Sequence, residues 1–251
     1  MIARTVEPYG DRPLQRGEWW IPAAAGRLPT VMLVHGGFWR PSYDRSLEDD
    51  VAQDLCARGY LCWNIDYAAS DHAWPTTLTD VASAYDHLLT SDRVDPDDIS
   101  VVGHSAGGQL ALWLASRHRL PSGAPGEVDA QTPRPRLCVA QGAVAALAIA
   151  ARQGLGGGAV QALLGGGPDD MPGRYAVADP LALLPSGVRT VLIHGSEDDD
   201  VPVSQAERYV AAATAVGDDA KLVRYDGGHY EHLEPDSVAG ELLRRALADR
   251  P

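Results

Sequence analysis

The chain is 251 residues long, with 45% hydrophobic residues and a formal net charge of −13. This size and apolar content suffice for one α/β domain with a sizeable core, so we predict a single domain over residues 1–251. The acidic balance argues against nucleic acid or an anionic membrane surface as a partner. No apolar run reaches the roughly 18 residues that a membrane-spanning helix needs.

The N-terminal residues lack the apolar segment of a secretory signal. The three cysteines, Cys56, Cys62 and Cys138, lie in apolar stretches, which favours reduced core side chains over a disulfide or zinc framework. These features predict a cytoplasmic protein, and they leave open whether it forms a homo-oligomer.

Six short apolar runs, each ending in a polar or glycine-rich turn, predict parallel strands that are covered on both faces. The runs are 30–34, 61–65, 99–102, 137–141, 190–193 and 221–225. The segment 10–22 predicts one or two further strands at an edge, which gives about eight. Helical periodicity predicts helices over 47–55, 78–88, 106–117, 204–216 and 237–248. This alternation is typical of a mostly parallel α/β sheet flanked by helices.

Residues 145–175 interrupt the alternation with two alanine-rich helical stretches joined by GLGGG. We interpret this segment as a small helical lid over one end of the sheet. Its sequence GLGGGA matches a loose dinucleotide-binding pattern, but it follows a helical stretch where that motif requires a strand. We therefore predict a turn between helices and no cofactor.

The sequence GHSAG, residues 103–107, has the pattern G-x-S-x-G between an apolar strand and a helix. That context is the one in which a sharp turn exposes a nucleophilic serine. Ser105 is accordingly the candidate nucleophile. Because a serine hydroxyl is weakly nucleophilic at neutral pH, it needs a histidine base and a carboxylate that orients the base.

The expected chain order after the serine is an acid and then a histidine. The strand over 190–193 leads into four consecutive acidic residues, of which Asp198 is favoured while Glu197 and Asp200 stay open as alternatives. His229 follows the double glycine after the last predicted strand, which makes it the candidate base. His229 and His232 could also form a metal pair, but no third ligand has suitable spacing, so we predict no metal.

The sequence HGGFW, residues 35–39, follows the first predicted parallel strand. Acyl transfer needs hydrogen-bond donors for the oxyanion that develops at the carbonyl. We assign this role to the backbone N–H groups of Gly37, Phe38 and Ala106. Four aromatic residues near predicted strand ends are candidates for substrate contact, namely Trp39, Tyr67, Trp74 and Tyr230.

With these motifs placed, the chain resembles the α/β-hydrolase superfamily over residues 25–250. Within it, the chain is similar to the small HGG-x-W group that includes kynurenine formamidase and related carboxylesterases. The resemblance depends on HGGFW, GHSAGG, HGSEDDDVP and the GHY at 228–230. Its H-G-x-x-D pattern implies that Asp198 is the acid, and its mechanism implies an acyl-enzyme on Ser105.

Three functions follow as hypotheses. The first is a serine hydrolase of small soluble esters or amides, which the complete order Ser105, Asp198, His229 favours. The second is an arylformamidase acting on N-formylkynurenine-like formamides, which the HGGFW loop and the nearby aromatic residues favour. The third is a non-catalytic binding protein on the same fold, which would be expected to have lost a triad member, whereas this chain has lost none.

Overall fold

The computed structural model describes residues 2–249, so that Met1, Arg250 and Pro251 of the predicted domain lie outside the described residues. Its centre is one eight-stranded sheet. The strands are β1 (Ala3–Pro8), β2 (Arg16–Ile21), β3 (Leu28–Val34), β4 (Leu61–Ile65), β5 (Val94–His104), β6 (Leu137–Gln141), β7 (Arg189–Gly195) and β8 (Ala220–Tyr225).

The strand order is β1-β2-β4-β3-β5-β6-β7-β8. The strands from β4 across to β8 pair in parallel, whereas β2 pairs antiparallel with both β1 and β4. The carboxyl ends of the parallel strands therefore meet at one edge of the sheet, where ligands bind in open α/β sheets. The described helices are α1 (Asp49–Ala57), α2 (Thr76–Leu88), α3 (Ala106–Ala115), α4 (Leu147–Arg152), α5 (Ala159–Leu164), α6 (Pro172–Ala178), α7 (Ser204–Ala215) and α8 (Val238–Ala248).

Both faces of the inner parallel strands are buried, whereas β8 lies at the edge of the sheet and, contrary to the prediction for its run, only Tyr225 of its six residues is buried. In β3, Met32 and Val34 join a core cluster on one face, while Val31 and Leu33 join a second cluster on the other. This follows from the two-residue period of a strand, which sends successive side chains to opposite faces. None of the described helices has both the length and the apolar character needed to cross a membrane.

The predicted fold class is confirmed. Strands β4 and β6 have the bounds that the apolar runs predict, whereas β5 begins five residues earlier, at Val94. The two antiparallel edge strands include β1, which precedes the predicted segment 10–22. The sequence did not predict β1 because five of its six residues are exposed, so the strand has no apolar run.

The insertion between β6 and β7 is helical, as predicted. Helices α4 and α5 are the two alanine-rich stretches, and the linker between them turns through four glycines with positive φ. A third helix, α6, begins at Pro172 and continues to Ala178, past the predicted end at residue 175. The linker touches the loop after β3, since the carbonyl of Gly156 accepts a hydrogen bond from Arg40 Nη2 at 2.7 Å.

Candidate active site

Ser105 occupies the sharp turn between β5 and α3. Its backbone has φ 55° and ψ −118°, a conformation that is strained for a residue with a Cβ. The turn is fixed on one side by a hydrogen bond from Ser105 N to the carbonyl of Gln141, at 2.8 Å. Ser105 and His229 both line one cavity at the carboxyl edge of the sheet, so the turn presents the predicted nucleophile beside the predicted base.

The turn is possible because α3 lies unusually close to β3. A Cβ added at Gly107 would come within 1.9 Å of the carbonyl oxygen of Val34 and 2.4 Å of that of His35. Both contacts are to backbone atoms, which cannot rotate away as a flexible side chain would. Glycine at this position is therefore required by packing, independently of any chemistry at Ser105.

Asp198 follows β7 and its carboxylate is fully enclosed. Its Oδ1 accepts backbone hydrogen bonds from Val201 N at 2.7 Å and Asp200 N at 3.1 Å. Its Oδ2 lies 2.7 Å from His229 Nδ1 and 3.3 Å from His194 Nε2. Burial acts to raise the pKa of Asp198, but these hydrogen bonds outweigh burial and hold the pKa below its usual value.

This arrangement separates Asp198 from the two alternative acids. The side chain of Asp198 has no exposed surface and contacts His229 Nδ1, whereas Glu197 is exposed and neither Glu197 nor Asp200 contacts His229 among the hydrogen bonds described. Because Asp198 is held as an ionised acceptor, His229 Nδ1 carries the hydrogen and donates it, which leaves His229 Nε2 free to accept a proton. The geometry favours Asp198 as the orienting carboxylate.

His104, which precedes Ser105, supports the loop that carries His229. It borders the same cavity as Ser105. Its Nε2 donates to the backbone carbonyl of His229 at 2.9 Å, and the two rings lie 4.6 Å apart. His232 packs behind it at 5.5 Å and lies fully buried beside Gln141 and Tyr225.

These buried imidazoles make folding sensitive to acid. Burial lowers the pKa of His104 to about 3 and lowers the pKa values of His35 and His232. The unfolded chain therefore binds protons below about pH 6.5 that the folded chain refuses, so the free energy of unfolding should fall as the pH decreases from 6.5. Burial raises the pKa of Glu48 to about 8 and also raises the pKa values of Asp49 and Asp179, which acts in the opposite sense, but only the shift of Glu48 is large, so the three histidines outweigh these carboxyl groups.

Urea denaturation at pH values from 5 to 6.5 measures this dependence. His104→Gln removes one of the three groups and keeps an amide donor near the carbonyl of His229, so its stability should change less steeply with pH than that of the wild type. Equal stability at pH 5 and 6.5 in the wild type would contradict the prediction.

The loop after β3 has the backbone expected of an oxyanion hole. Gly37, Phe38 and Trp39 have successive positive φ values of 105°, 50° and 53°. Among the residues described, the N–H groups of Gly37 and Phe38 take no part in the backbone hydrogen bonds of turns and loops. The Ala106 N–H opens α3, where the first amides of a helix have no partner within it. Gly37 and Phe38 line the same cavity as Ser105, and Ala106 follows Ser105 in the chain; the role of these donors in catalysis stays a prediction.

The cavity beside Ser105 is small, with a volume of about 70 Å³. A single water needs roughly 10–15 Å³ on this measure, and pockets for drug-sized ligands hold about 300–1,000 Å³. The enclosed space therefore suits only a short group. It is lined by Gly37, Phe38, Tyr43, Leu47, His104, Ser105, His229, Tyr230 and Leu233.

Of the four aromatic residues predicted to contact substrate, only Tyr230 lies at this cavity. Trp39 is 1% exposed, and its Nε1 donates to Gln109 Oε1 in the core at 3.2 Å. Tyr67 is buried too, with its hydroxyl donating to the carbonyl of His35 at 2.8 Å. Trp74 lines a different groove, beside Met171 and Arg174. The sharp turn at Phe38 sends neighbouring side chains in opposite directions, so that Phe38 lines the cavity while Trp39 packs in the core.

Sequence reasoning missed four residues of the lining, namely Tyr43, Leu47, His104 and Leu233. Leu233 follows His229 by four residues, and a 3₁₀ turn over Tyr230–Leu233 brings it back to the cavity. This four-residue spacing from the candidate base could have indicated that Leu233 lies near the cavity. Tyr43 lies in an irregular loop whose sequence has no periodicity, so nothing local indicated where its ring would lie.

The structure offers no group of three or more His, Cys, Asp or Glu side chains in residues 2–249 that could hold a metal ion. The His229 and His232 side chains do not converge on a common point, because His229 turns to Asp198 while His232 turns to Gln141.

A parallel sheet of this order, with a serine in a strand-to-helix turn, defines the α/β-hydrolase superfamily, to which this chain belongs. Within it, the BD-FAE family model matches residues 20–212, which is most of the chain. The chain is a member of the BD-FAE family.

Curated relatives include two proteins of Mycobacterium tuberculosis (strain ATCC 25618 / H37Rv). Esterase LipQ is 25% identical over 236 residues, which are 90% of this chain and 56% of LipQ. Putative acetyl-hydrolase LipR is 35% identical over 104 residues, which are 41% of this chain and 32% of LipR. The chain thus spans between a third and just over half of the length of these relatives.

Two solved structures share the fold. Esterase B from Lactobacillus Rhamnosis (HN001) superposes with a TM-score of 0.83 at 20% identity, covering 98% of this chain and 85% of that one. A truncated carbohydrate esterase from gut microbiota also gives 0.83, at 16% identity, covering 98% and 95%. At these identities the likeness establishes the fold alone.

Proposed function

We propose that this protein is a serine hydrolase that cleaves small soluble esters through an acyl-enzyme intermediate. Ser105 is the nucleophile, His229 the general base and acid, and Asp198 the orienting carboxylate. The observation that carries the proposal is the Asp198–His229 contact of 2.7 Å beside a serine held in a strained turn. Esterases among the relatives and structural neighbours support the same class of reaction.

The reaction follows from the groups present. Ser105 Oγ attacks the carbonyl carbon and its proton passes to His229 Nε2, while the N–H groups of Gly37, Phe38 and Ala106 donate to the oxyanion. As the intermediate collapses, the bond to the alcohol oxygen breaks and His229 gives that oxygen the proton. Water then attacks the acyl-enzyme by the same route, which releases the acid and restores Ser105.

Asp198 has two tasks in this scheme. It fixes the His229 tautomer in which Nδ1 carries the hydrogen, and it stabilises the imidazolium that forms when Nε2 takes the serine proton. The four donors around its carboxylate favour the ionised form that both tasks need. A non-catalytic binding protein would have no use for this arrangement, which is why we favour an enzyme.

Covalent labelling tests the proposal directly. With a fluorophosphonate, Ser105 Oγ should displace fluoride from phosphorus, and mass spectrometry should find one adduct on the peptide that contains Ser105. Ser105→Ala and His229→Ala should give no adduct, whereas Ser122→Ala, at an exposed serine, should label like the wild type. Labelling of folded Ser105→Ala at the wild-type rate would refute the assignment.

The alternative of an arylformamidase stays a prediction, with less support than the esterase. Two of the aromatic residues that favoured it, Trp39 and Tyr67, are core side chains, so fewer aromatic rings are available to contact an aryl formamide. Rates on p-nitrophenyl acetate and N-formylkynurenine, with Ser105→Ala as the blank, decide between the two. A clearly higher kcat/KM on the formamide would favour the arylformamidase.

A further inference from the structure

Two exposed tyrosines stand at the opening of the candidate active site. Six large apolar side chains of the described residues are exposed, and two of them, Tyr43 at 43% and Tyr230 at 63%, line the cavity of Ser105. They come from loops 187 residues apart in the chain, one after β3 and the other after β8. Exposed aromatic surface costs free energy, so its concentration at a cavity calls for an explanation in terms of binding.

Each tyrosine is seated on a part of the proposed catalytic machinery. The Tyr43 ring packs on Gly37, where an added Cβ would come within 2.4 Å of it. The Tyr230 ring stands edge-on to His229, with centroids 5.2 Å apart and an interplanar angle of 88°. One ring therefore flanks the proposed oxyanion donors and the other flanks the proposed base.

The enclosed and open parts of the cavity suit different parts of an ester. The acyl group stays bonded to Ser105 between the two chemical steps, whereas the alcohol must leave and water must enter. The enclosed 70 Å³, with Leu47 and Leu233 in its wall, therefore fits a short acyl group. This assignment leaves the open side of the cavity, where Tyr43 and Tyr230 are exposed, for the alcohol.

We infer that Tyr43 and Tyr230 form a recognition site for an aromatic ring in the leaving group, so that the substrates are short-chain acyl esters of phenols. This inference rests on the proposed function and specifies its substrate class. Aromatic faces and edges bind a flat ring by stacking and edge-to-face contacts, and each such pair adds about 0.5–1.5 kcal/mol beyond the area that it buries.

The leaving-group preference is measured with phenyl acetate and hexafluoroisopropyl acetate. Their leaving groups, phenol and hexafluoroisopropanol, are of broadly similar acidity, and only phenol contains a ring. The wild type should favour the phenyl ester in kcat/KM by roughly tenfold, which is the combined effect of two aromatic contacts. Tyr43→Leu and Tyr230→Leu should each reduce that ratio by roughly 2- to 10-fold. Tyr43→Phe and Tyr230→Phe, which keep the rings, should preserve it.

Val238→Ala is the matched control, because Val238 is an exposed apolar side chain outside the cavity. It should leave both rates and their ratio unchanged. The acyl side is measured with p-nitrophenyl acetate, butyrate and hexanoate, for which kcat/KM should fall with chain length. Leu233→Ala should shift the preference toward the longer chains.

The outcomes distinguish a failure of the ring site from a failure of the proposed function. Ser105-dependent hydrolysis with equal kcat/KM on the two acetates, or a ratio that survives both leucine variants, overturns the ring site and leaves the serine hydrolase standing. A preference for hexanoate over acetate overturns the acyl assignment. Hydrolysis that persists in folded Ser105→Ala, or no hydrolysis of any of these esters, overturns the proposed function and the inference together.

Discussion

Replacing Asp198 by asparagine is expected to lower kcat by about 10⁴-fold, the loss typical of a triad whose histidine is held in the wrong tautomer. Asparagine Oδ1 can still accept from the N–H groups of Asp200 and Val201, so the loop should keep its shape. At the position of Oδ2 the substitution places an NH₂ group, which would donate to His229 Nδ1 and could not accept a hydrogen bond from it. Steady-state kinetics on p-nitrophenyl acetate measures the loss, and thermal unfolding checks the fold.

Glu197→Gln and Asp200→Asn are the matched controls, since each removes one charge from the same acidic run. Both should retain activity close to that of the wild type, because neither carboxylate contacts His229 among the hydrogen bonds described. A loss of comparable size in Asp200→Asn, with Asp198→Asn still active, would transfer the role of the acid to Asp200.

Gly107→Ala is expected to destabilise the protein by at least about 3 kcal/mol, beyond the usual range for a single substitution. The new methyl group would overlap the carbonyl oxygen of Val34 at 1.9 Å, and relief requires moving α3 away from β3. Because Ser105 lies directly before α3, the same movement should also remove activity. Urea denaturation measures the first effect, and ester hydrolysis in the fraction that remains folded measures the second.

The control is Gly173→Ala. Gly173 is the second residue of α6, as Gly107 is of α3, but an added Cβ there meets nothing within 4 Å. Its φ is not positive, so alanine should be neutral or should stabilise by about 0.4–1 kcal/mol, through the smaller entropy of the unfolded chain. Similar losses in the two variants would show that helix propensity, and not the contact with β3, sets the cost.

Much of the sheet could be predicted from the sequence because its inner strands are buried on both faces. A strand covered on both sides is apolar over most of its length, so the runs at 61–65 and 137–141 stand out from the polar turns that follow them. The candidate triad could be predicted for a related reason. Ser105, Asp198 and His229 each follow a parallel strand, and parallel strands bring their carboxyl ends together whatever the intervening sequence.

The cavity lining could not be predicted in the same way. Whether Phe38 or Trp39 faces the cavity depends on two positive φ angles, which a sequence does not reveal at residues other than glycine. Tyr43 reaches the cavity by packing on Gly37, a contact between loop residues with no periodic pattern. Local sequence patterns indicate where strands end, whereas the direction of side chains in the loops depends on tertiary contacts.

The contact between the insertion and the loop after β3 limits how the two can be exchanged between related proteins. Phe38 fits against Gly156 so closely that a Cβ there would come within 2.6 Å of its ring, and Arg40 binds the Gly156 carbonyl. The insertion therefore helps to fix the shape of the loop that carries the proposed oxyanion donors. A chimaera that received a new insertion without a glycine at this place is expected to have a distorted loop after β3, and to lose turnover even with every proposed catalytic side chain retained.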